Sequence, residues 1–434
     1  VASLTLAGVV GVVVLVALFF TRLPVAYAMT LVGLAGFAWV RGWEAALSLL
    51  ARDLYGVFSS YGLTIIPLFV LMGQLAYHAG ISRRLYQAAY HWVGSTKGGL
   101  AMATVCACTA FGAVCGSSPA TAATMATVGL PEMRRYGYRP ALAAGSVASA
   151  GGLGMLMPPS VVLIVYGVLT EQSIGQLFVA GVLPAVAVAG LFLAAIYLVC
   201  RLRPDQGPAG RPSAWPVRLA SLGALADTLA VFALVMGGLF WGWFTPTEAG
   251  GVGAAGVLAA AALRGQLTRP RLWRAVEDSL VTSCMVLLLV AGATLFGHFL
   301  AVTGIPAAAA GLIAGLDWPG WAVVSLMVVV YLVGGCFIDA LALIMLTIPI
   351  FYPIVVGLGL DPVWFGVMIV LVTQMGVITP PVGINAYVVR GVDRTIPLET
   401  VFKGCLPFLA ALVAGAGLTI AWPGLATWLP RLMY

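Results

Sequence analysis

The string Met157-Pro158-Pro159-Ser160 returns 222 residues later as Thr379-Pro380-Pro381-Val382. At the same offset Gly112 falls on Gly334, Pro131 on Pro353, Gly137 on Gly359, Pro140 on Pro362, Gly154 on Gly376 and Pro24 on Pro246, with no gap. For 25 prolines in 434 residues, roughly 0.7 Pro-on-Pro matches are expected by chance over one half, and six occur, so the chain repeats itself. One of the six, Pro208 on Pro430, lies in linker and tail and is accidental. The fold must therefore hold two related halves in which matching positions do matching work.

The solvent follows from composition. With 62% hydrophobic residues, 8% charged and a mean hydropathy of +1.07, the chain lacks the polar surface to cover a soluble globule and reads as an all-α polytopic membrane protein. Apolar runs near 4–20, 24–40, 61–78, 100–131, 141–168, 177–200, 222–243, 247–263, 279–301, 321–355, 363–389 and 404–422 compare with the ~20 residues of one helical crossing. Ala26-Tyr27-Ala28 mimics a signal-peptide cleavage site, but the run before it lacks a basic leader and belongs to the repeat through Pro24. The net charge of +7 comes mainly from Arg in short loops, which argues for topology rather than nucleic acid. The seven cysteines form no C-x-x-C pair and have no neighbouring His, against a disulfide framework or a zinc site.

Charge then orients the chain. Arg83, Arg84 and Lys97 precede the 100–131 run and Arg134, Arg135 and Arg139 follow it, placing both its ends in the cytoplasm. Two limbs of about 15 residues reach only ~22 Å, short of the ~30 Å core, so the run is expected to be a re-entrant hairpin. The 321–355 run is flanked by Asp317 and Asp361 and no basic residue, so it is expected to enter from outside. Opposite charge surroundings imply an inverted-topology repeat with five crossings in the first half and both termini on the periplasmic side. Arg201, Arg203, Arg211 and Arg218 mark an internal linker; Arg41 and Arg52 fall on the outer side and fit least well.

The expected organisation is scaffold helices over 1–98, a first transport segment over 99–200, a linker over 201–221, further scaffold over 222–320 and a second transport segment over 321–434. Paired hairpins and matched Pro/Gly breaks are the sequence marks of a secondary transporter with its site at the midplane. Each Pro-Pro step removes two amide donors and frees carbonyls upstream, which are costly in hydrocarbon unless they line a polar cavity or bind a cation. The stretches Gly151–Ser160 and Gly376–Gly383 are accordingly candidate ion-coordinating breaks, and half-helix N-termini beside them would face an anion. The first hairpin tip, Gly112 to Thr121, offers hydroxyls and carbonyls suited to sodium.

Asp339 falls on Ser117 at the same offset and is the one carboxylate inside the two long runs near 100–131 and 321–355. It is read either as a functional group or as a carboxylate bonded to hairpin backbone. Small-residue packing is the alternative for Ser117, Ser118 and Thr121. Asn385, one turn past the second break, could bond a loosened carbonyl or contact solute. Glu248 beside Thr245 is a helix-start residue, while His78 and His298 are interfacial or packed rather than proton relays. Arg22 and Arg390 are the arginines that could clamp a carboxylate, with snorkelling as the alternative. No GxxxxGK(S/T) string or soluble nucleotide-binding segment exists in the sequence, which excludes ATP coupling within it.

Together these motifs resemble the large membrane subunit of the tripartite ATP-independent periplasmic (TRAP) transporters across nearly the whole chain. The resemblance runs through Phe244-Thr245-Pro246-Thr247-Glu248-Ala249, Cys115-Gly116-Ser117-Ser118 with Ala120 to Met125, Met157-Pro158-Pro159-Ser160, Tyr166-Gly167-Val168 and Thr379-Pro380-Pro381-Val382-Gly383-Ile384-Asn385. It implies sodium-driven, elevator-type uptake of a small organic anion in the bacterial inner membrane. The implied partners are a periplasmic substrate-binding protein (P type) and a four-helix small membrane subunit (Q type). The implied cofactor is Na+, with no other metal, no catalytic residue and no nucleic acid. One sodium site would involve Gly116, Ser117, Ser118, Thr121, Gly154, Pro158 and Pro159, and the other Gly335, Asp339, Gly376, Thr379, Pro380 and Pro381. Solute would bind between the hairpin tips, near Ser118, Ser160 and Asn385. A stand-alone sodium- or proton-coupled dicarboxylate symporter is the nearest rival. An intramembrane enzyme lacks any nucleophile-base spacing here, and a passive channel has no need of two symmetric hairpins.

Overall fold

The computed structural model describes every residue except Val1, Arg22, Leu316, Asp317 and Tyr434, and leaves aside the side chains of Ala2, Ser3, Ala224, Asp227 and Ala314. Arg22 and Asp317, which entered the sequence reading, thus lie outside the described residues. Helices carry the chain from end to end, and no strand occurs among the described residues.

The first half contains α1 (Ala2–Phe19), α2 (Val25–Arg41), α3 (Trp43–Ser59), α4 (Ile65–His78), α5 (Ile81–Val93), α6 (Gly99–Cys115), α7 (Ser118–Arg135), α8 (Pro140–Gly151), the single turn α9 (Leu153–Leu156), α10 (Val161–Thr170) and α11 (Ile174–Leu202). The second contains α12 (Trp215–Phe240), α13 (Pro246–Leu263), α14 (Arg269–Thr303), α15 (Ile305–Ala314), α16 (Gly320–Gly335), α17 (Ala340–Gly357), α18 (Pro362–Gly376), α19 (Ile384–Val392), α20 (Leu398–Ala421) and α21 (Gly424–Met433). Adding 222 to the bounds of α7 gives 340–357, those of α17, and adding it to α10 gives 383–392 against 384–392 for α19. The same shift lays α2 on α13, α8 on the start of α18 and α11 on α20. The repeat is therefore one of helices as well as of prolines. It departs from register where α3 and α4 are parted by a 3-10 turn at Tyr61–Thr64, while their counterpart α14 runs unbroken for 35 residues.

Burial orders the packing. Every residue of α8 from Leu142 to Gly151 and of α18 from Val363 to Gly376 is buried, as a helix apolar on all sides requires. Around them gather α6, α7, α11, α16 and α20, whereas α2, α3, α4, α13 and α14 pack on one another as a second group. The two groups meet where α4 lies against α6 and α14 against α17. Small residues permit the closest approach: a methyl on Gly404 of α20 would fall on the Ala141 carbonyl of α8, the small-residue contact typical of helices packed in lipid.

Six described helices or continuous helical stretches are long and apolar enough to cross a membrane, or seven if the bent pair Trp215–Gly223 and Thr228–Phe240 is one span. Two stretches left out of the apolar runs are also helical. In α3, Asp53 faces the protein while Arg52 and Glu44 face out, and in α5 the face of Ile81, Leu85 and Ala88 is buried beneath Arg83 and His91; a hydropathy window averages such faces away. The linker expected over 201–221 is shorter, because α12 begins at Trp215 with Pro216 in its first turn. Arg218 and Ser221 interrupt the apolar residues of its first two turns, so the helix starts before the apolar run read from the sequence does.

Candidate functional site

Both long runs near 100–131 and 321–355 fold as helix pairs, α6 with α7 and α16 with α17. Their limbs hold 17, 18, 16 and 18 residues, or about 24–27 Å each. The first tip turns at Gly116, whose φ of +65° suits glycine. A Cβ there would also stand 2.7 Å from the Pro159 carbonyl of the first break, so tip and break touch through backbone. The amide of Val161 reaches the Gly116 carbonyl at 3.5 Å, and on the other side the amide of Val382 donates to the Cys336 carbonyl at 3.1 Å.

The glycines matched in sequence are contact points. Gly112 of α6 lies so close to Gly154 that an added Cβ would stand 2.7 Å from its Cα. In the second half a Cβ on Gly376 would fall on the Gly335 backbone. Around Gly154 the structure gathers the Ser117 carbonyl and the Thr121 hydroxyl, which donates to that carbonyl at 2.7 Å.

Each break frees carbonyls and the chain finds substitutes for most of them. Pro158 and Pro159 cannot donate to the carbonyls of Gly154 and Met155 four residues back. The Ser160 hydroxyl takes the Met155 carbonyl, while the Gly154 carbonyl is left without its usual helical donor. Pro380 and Pro381 deprive Gly376 and Val377 likewise, and there the amides of Thr379 (3.1 Å) and Asn385 (3.0 Å) step in. The Thr379 hydroxyl donates to the Met375 carbonyl at 2.6 Å. Both Pro-Pro bonds are cis. The breaks differ in exposure: Pro158, Pro159 and Ser160 are buried, Pro380 and Pro381 exposed.

A cavity of about 480 Å³ opens between the tips and the other helix group. Ser117, Ser118, Asp339 and Leu341 line it from the hairpins, and Gly73, Gln74, Tyr77, Asp278 and Thr282 from α4 and α14. Asp339 caps α17, its Oδ2 accepting from the Leu341 amide at 3.0 Å, so the backbone-bonded alternative holds while the carboxylate also borders the cavity. Ser160 and Asn385 are fully buried and do not line it. Ser160 instead caps α10 by accepting from the Leu163 amide.

Asn385 has the most connected side chain here. Its Nδ2 donates to Ser118 Oγ at 2.8 Å and to the Ala148 carbonyl at 2.8 Å, and Ser118 Oγ lies 3.1 Å from its Oδ1. The amide that would ordinarily take the Ala148 carbonyl, that of Gly152, bonds Ser149 instead at 3.0 Å. Asn385 thus fills a loosened carbonyl, one of its two sequence alternatives, but across to the opposite half. Glu248 closes a capping box with Thr245 as expected, and hydrogen bonds from the Thr245 amide and then its hydroxyl hold the carboxyl below its usual range. His78 pairs with Asp278 at 2.9 Å and His298 with Asp53 at 3.4 Å. Arg390 is exposed in the last turn of α19, away from the cavity lining. Sequence reading passed over Gln74, Tyr77, Asp278 and Thr282; their signal was faint, since three sit inside apolar runs and Asp278 at the edge of one, on helices that the repeat does not mark with matched Pro or Gly.

Comparison with known proteins follows the same lines. Residues 12–425 match the family model described as tripartite ATP-independent periplasmic transporter, DctM component. The C4-dicarboxylate TRAP transporter large permease protein DctM of Pseudomonas aeruginosa is 35% identical over 88% of this chain and 89% of its own length. The sialic acid large permease SiaM of Vibrio cholerae is 31% identical over 96% of both. The isethionate permease DctMQ of Oleidesulfovibrio alaskensis is 32% identical over 90% of this chain but 61% of its own. Among solved structures, the YdaH transporter of Alcanivorax borkumensis superposes with a TM-score of 0.59 at 17% identity, over 88% of this chain and 89% of that one. The Neisseria gonorrhoeae efflux pump MtrF gives 0.56 at 14%, over 89% and 85%. At those identities the likeness is one of fold.

Proposed function

Since the chain belongs to the DctM component family of the tripartite ATP-independent periplasmic transporters, we propose that it carries a small organic anion across the bacterial inner membrane by sodium-coupled, elevator-type movement. The observation that carries this reading is the junction made twice: a hairpin tip against a Pro-Pro break, glycine on glycine, on either side of one cavity. The helix pairs are re-entrant hairpins of an inverted repeat, and α6–α11 with α16–α21 form the moving unit against a scaffold of α2–α4 and α12–α14. Both chain ends face the periplasm.

Sodium suits the oxygen chemistry of both junctions. At the first, the Gly154 carbonyl, the Ser117 backbone and the Thr121 hydroxyl are the ligands, with Gly116, Ser118 and the Pro158–Pro159 step shaping the pocket. At the second, Asp339 and the carbonyls around Gly335, Gly376 and Thr379–Pro381 serve. Relatives named for C4-dicarboxylate, sialic acid and isethionate support an organic anion as cargo. A periplasmic binding protein delivers it, and a Q-type subunit packs alongside, as the fused DctMQ relative suggests. The stand-alone symporter is set aside, because the family is one component of a tripartite system.

Melting the purified protein in sodium and in potassium at equal ionic strength tests the coupling. A ligand that binds only the folded state raises the melting temperature, so sodium should raise it specifically, and Asp339→Asn should reduce that rise. Equal melting in both salts would refute the sodium sites.

A further inference from the structure

Where α8 and α20 begin and α11 ends, a groove of about 410 Å³ opens beside the linker. It shares no lining residue with the cavity between the hairpin tips. Close packing fixes its floor, because a Cβ on Gly404 would fall on the Ala141 carbonyl. Leu142, Val199, Leu202 and Pro407 supply apolar walls, and Arg203, Gln206 and Lys403 complete the lining.

Two independent features leave this groove with polar groups to satisfy. Arg203 and Lys403 are both exposed, and neither enters an ion pair among the described residues. Their acidic neighbours do not neutralise them. Asp205 is held by Arg139 at 3.1 Å, and Glu399, one turn before Lys403 on α20, makes no ion pair with it. The second feature lies in the backbone. Pro407 is inside α20 and has no amide for the carbonyl of Lys403 four residues back, which is left without its usual helical donor. Positive charge at the ends of membrane helices is ordinary, but topology alone does not call for a packed groove that joins two such charges to a freed acceptor.

We propose that this groove binds one anionic phospholipid of the phosphatidylglycerol type, its phosphate between Arg203 and Lys403 and a headgroup hydroxyl donating to the Lys403 carbonyl. Basic pockets between membrane helices suit such headgroups, and the hydroxyl supplies the donor that the carbonyl lacks, which a choline cannot do. The acyl chains follow Val199, Leu202 and Pro407 toward the exposed Leu198 and Leu406. The lipid then ties the end of α11 to the start of α20, two helices of the hairpin group that the repeat relates to each other.

Melting the purified protein in detergent tests this with three additives at one concentration: phosphatidylglycerol, phosphatidylcholine with the same acyl chains, and glycerophosphoglycerol, the headgroup alone. Phosphatidylglycerol should raise the melting temperature most, equivalent to at least about tenfold tighter binding than phosphatidylcholine. Arg203→Gln and Lys403→Gln should each weaken it about fivefold, and the double variant should lose the preference. Arg269→Gln with Arg274→Gln removes the same charge from exposed positions of α14 and should keep it. Native mass spectrometry of the wild type, which does not depend on any variant folding, should show one phosphatidylglycerol retained from a mixture with excess phosphatidylcholine. An equal rise with the two lipids, a preference kept in the double variant, or no retained lipid overturns the proposal. A rise with glycerophosphoglycerol as large as with the lipid also overturns it and assigns the groove to a soluble phosphate ester. No readout needs sodium or solute, so the outcome stands apart from the transport reaction proposed above.

Discussion

Asn385 joins the two halves through a side chain that is fully buried and bonded to both Ser118 and the Ala148 carbonyl. Replacing it by Ala strands a buried hydroxyl and a carbonyl with no helical donor. Each stranded group costs about 1–3 kcal/mol, so Asn385→Ala should lower the thermal midpoint in detergent well beyond an exposed control such as Tyr387→Ala. A midpoint equal to that control would show that the bonds contribute nothing. The sequence marked Asn385 because it follows a duplicated Pro-Pro step. It could not reveal the partner, which lies 237 residues away and depends on how two halves are docked. For the same reason Ser160 was expected at the solute: its place in the break was legible, but whether its hydroxyl turned to the cavity or to Met155 was not.

Helices were legible where composition changes along the chain and obscure where it changes around a helix. The 222-residue offset placed α7 on α17 and α10 on α19 within a residue, since proline and glycine fix boundaries locally. Amphipathic α3 and α5 escaped because their buried faces are diluted by Arg, Glu and His on the other side. The start of α13 was read correctly from Thr245-Pro246-Thr247-Glu248, where the hydroxyl and carboxylate close the capping box. That motif carries a pH prediction. The folded pKa of Glu248 lies below its ordinary value, chiefly through the Thr245 amide and then its hydroxyl. Its stabilising contribution is therefore complete above the ordinary carboxylate pKa and is lost as pH falls through the lowered folded value. Wild type should melt above Glu248→Gln at neutral pH, with the gap closing in acid. A gap independent of pH would show that the carboxylate's charge plays no part.

At the scale of the whole molecule, two groups of helices meet along α4 and α14, and one close backbone approach there is between Gly73 and the first hairpin tip. A Cβ on Gly73 would stand 2.9 Å from the Cys115 carbonyl and 3.0 Å from its Cα. Neither atom can yield as a flexible side chain would, so Gly73→Val must push α4 and the tip apart. If the hairpin group slides past α4 as a unit, the wedge disfavours this arrangement and spares contacts inside the moving group. The junctions of Gly112 with Gly154 and of Gly335 with Gly376 lie wholly inside it. Gly73→Val should therefore lower solute uptake in proteoliposomes, given the partner subunits, by tenfold or more, the effect of about 1.4 kcal/mol on the balance of states. Its sodium-specific rise in melting temperature should persist. Loss of both together would mean that α4 belongs to the ion sites and that the two groups do not move independently; normal uptake would mean that the contact at Gly73 never has to open or close. Transport lost with ion binding kept is the pattern a rigid unit moving against a fixed wall produces, because the wedge acts on the relation between the groups and leaves the junctions inside the moving group untouched.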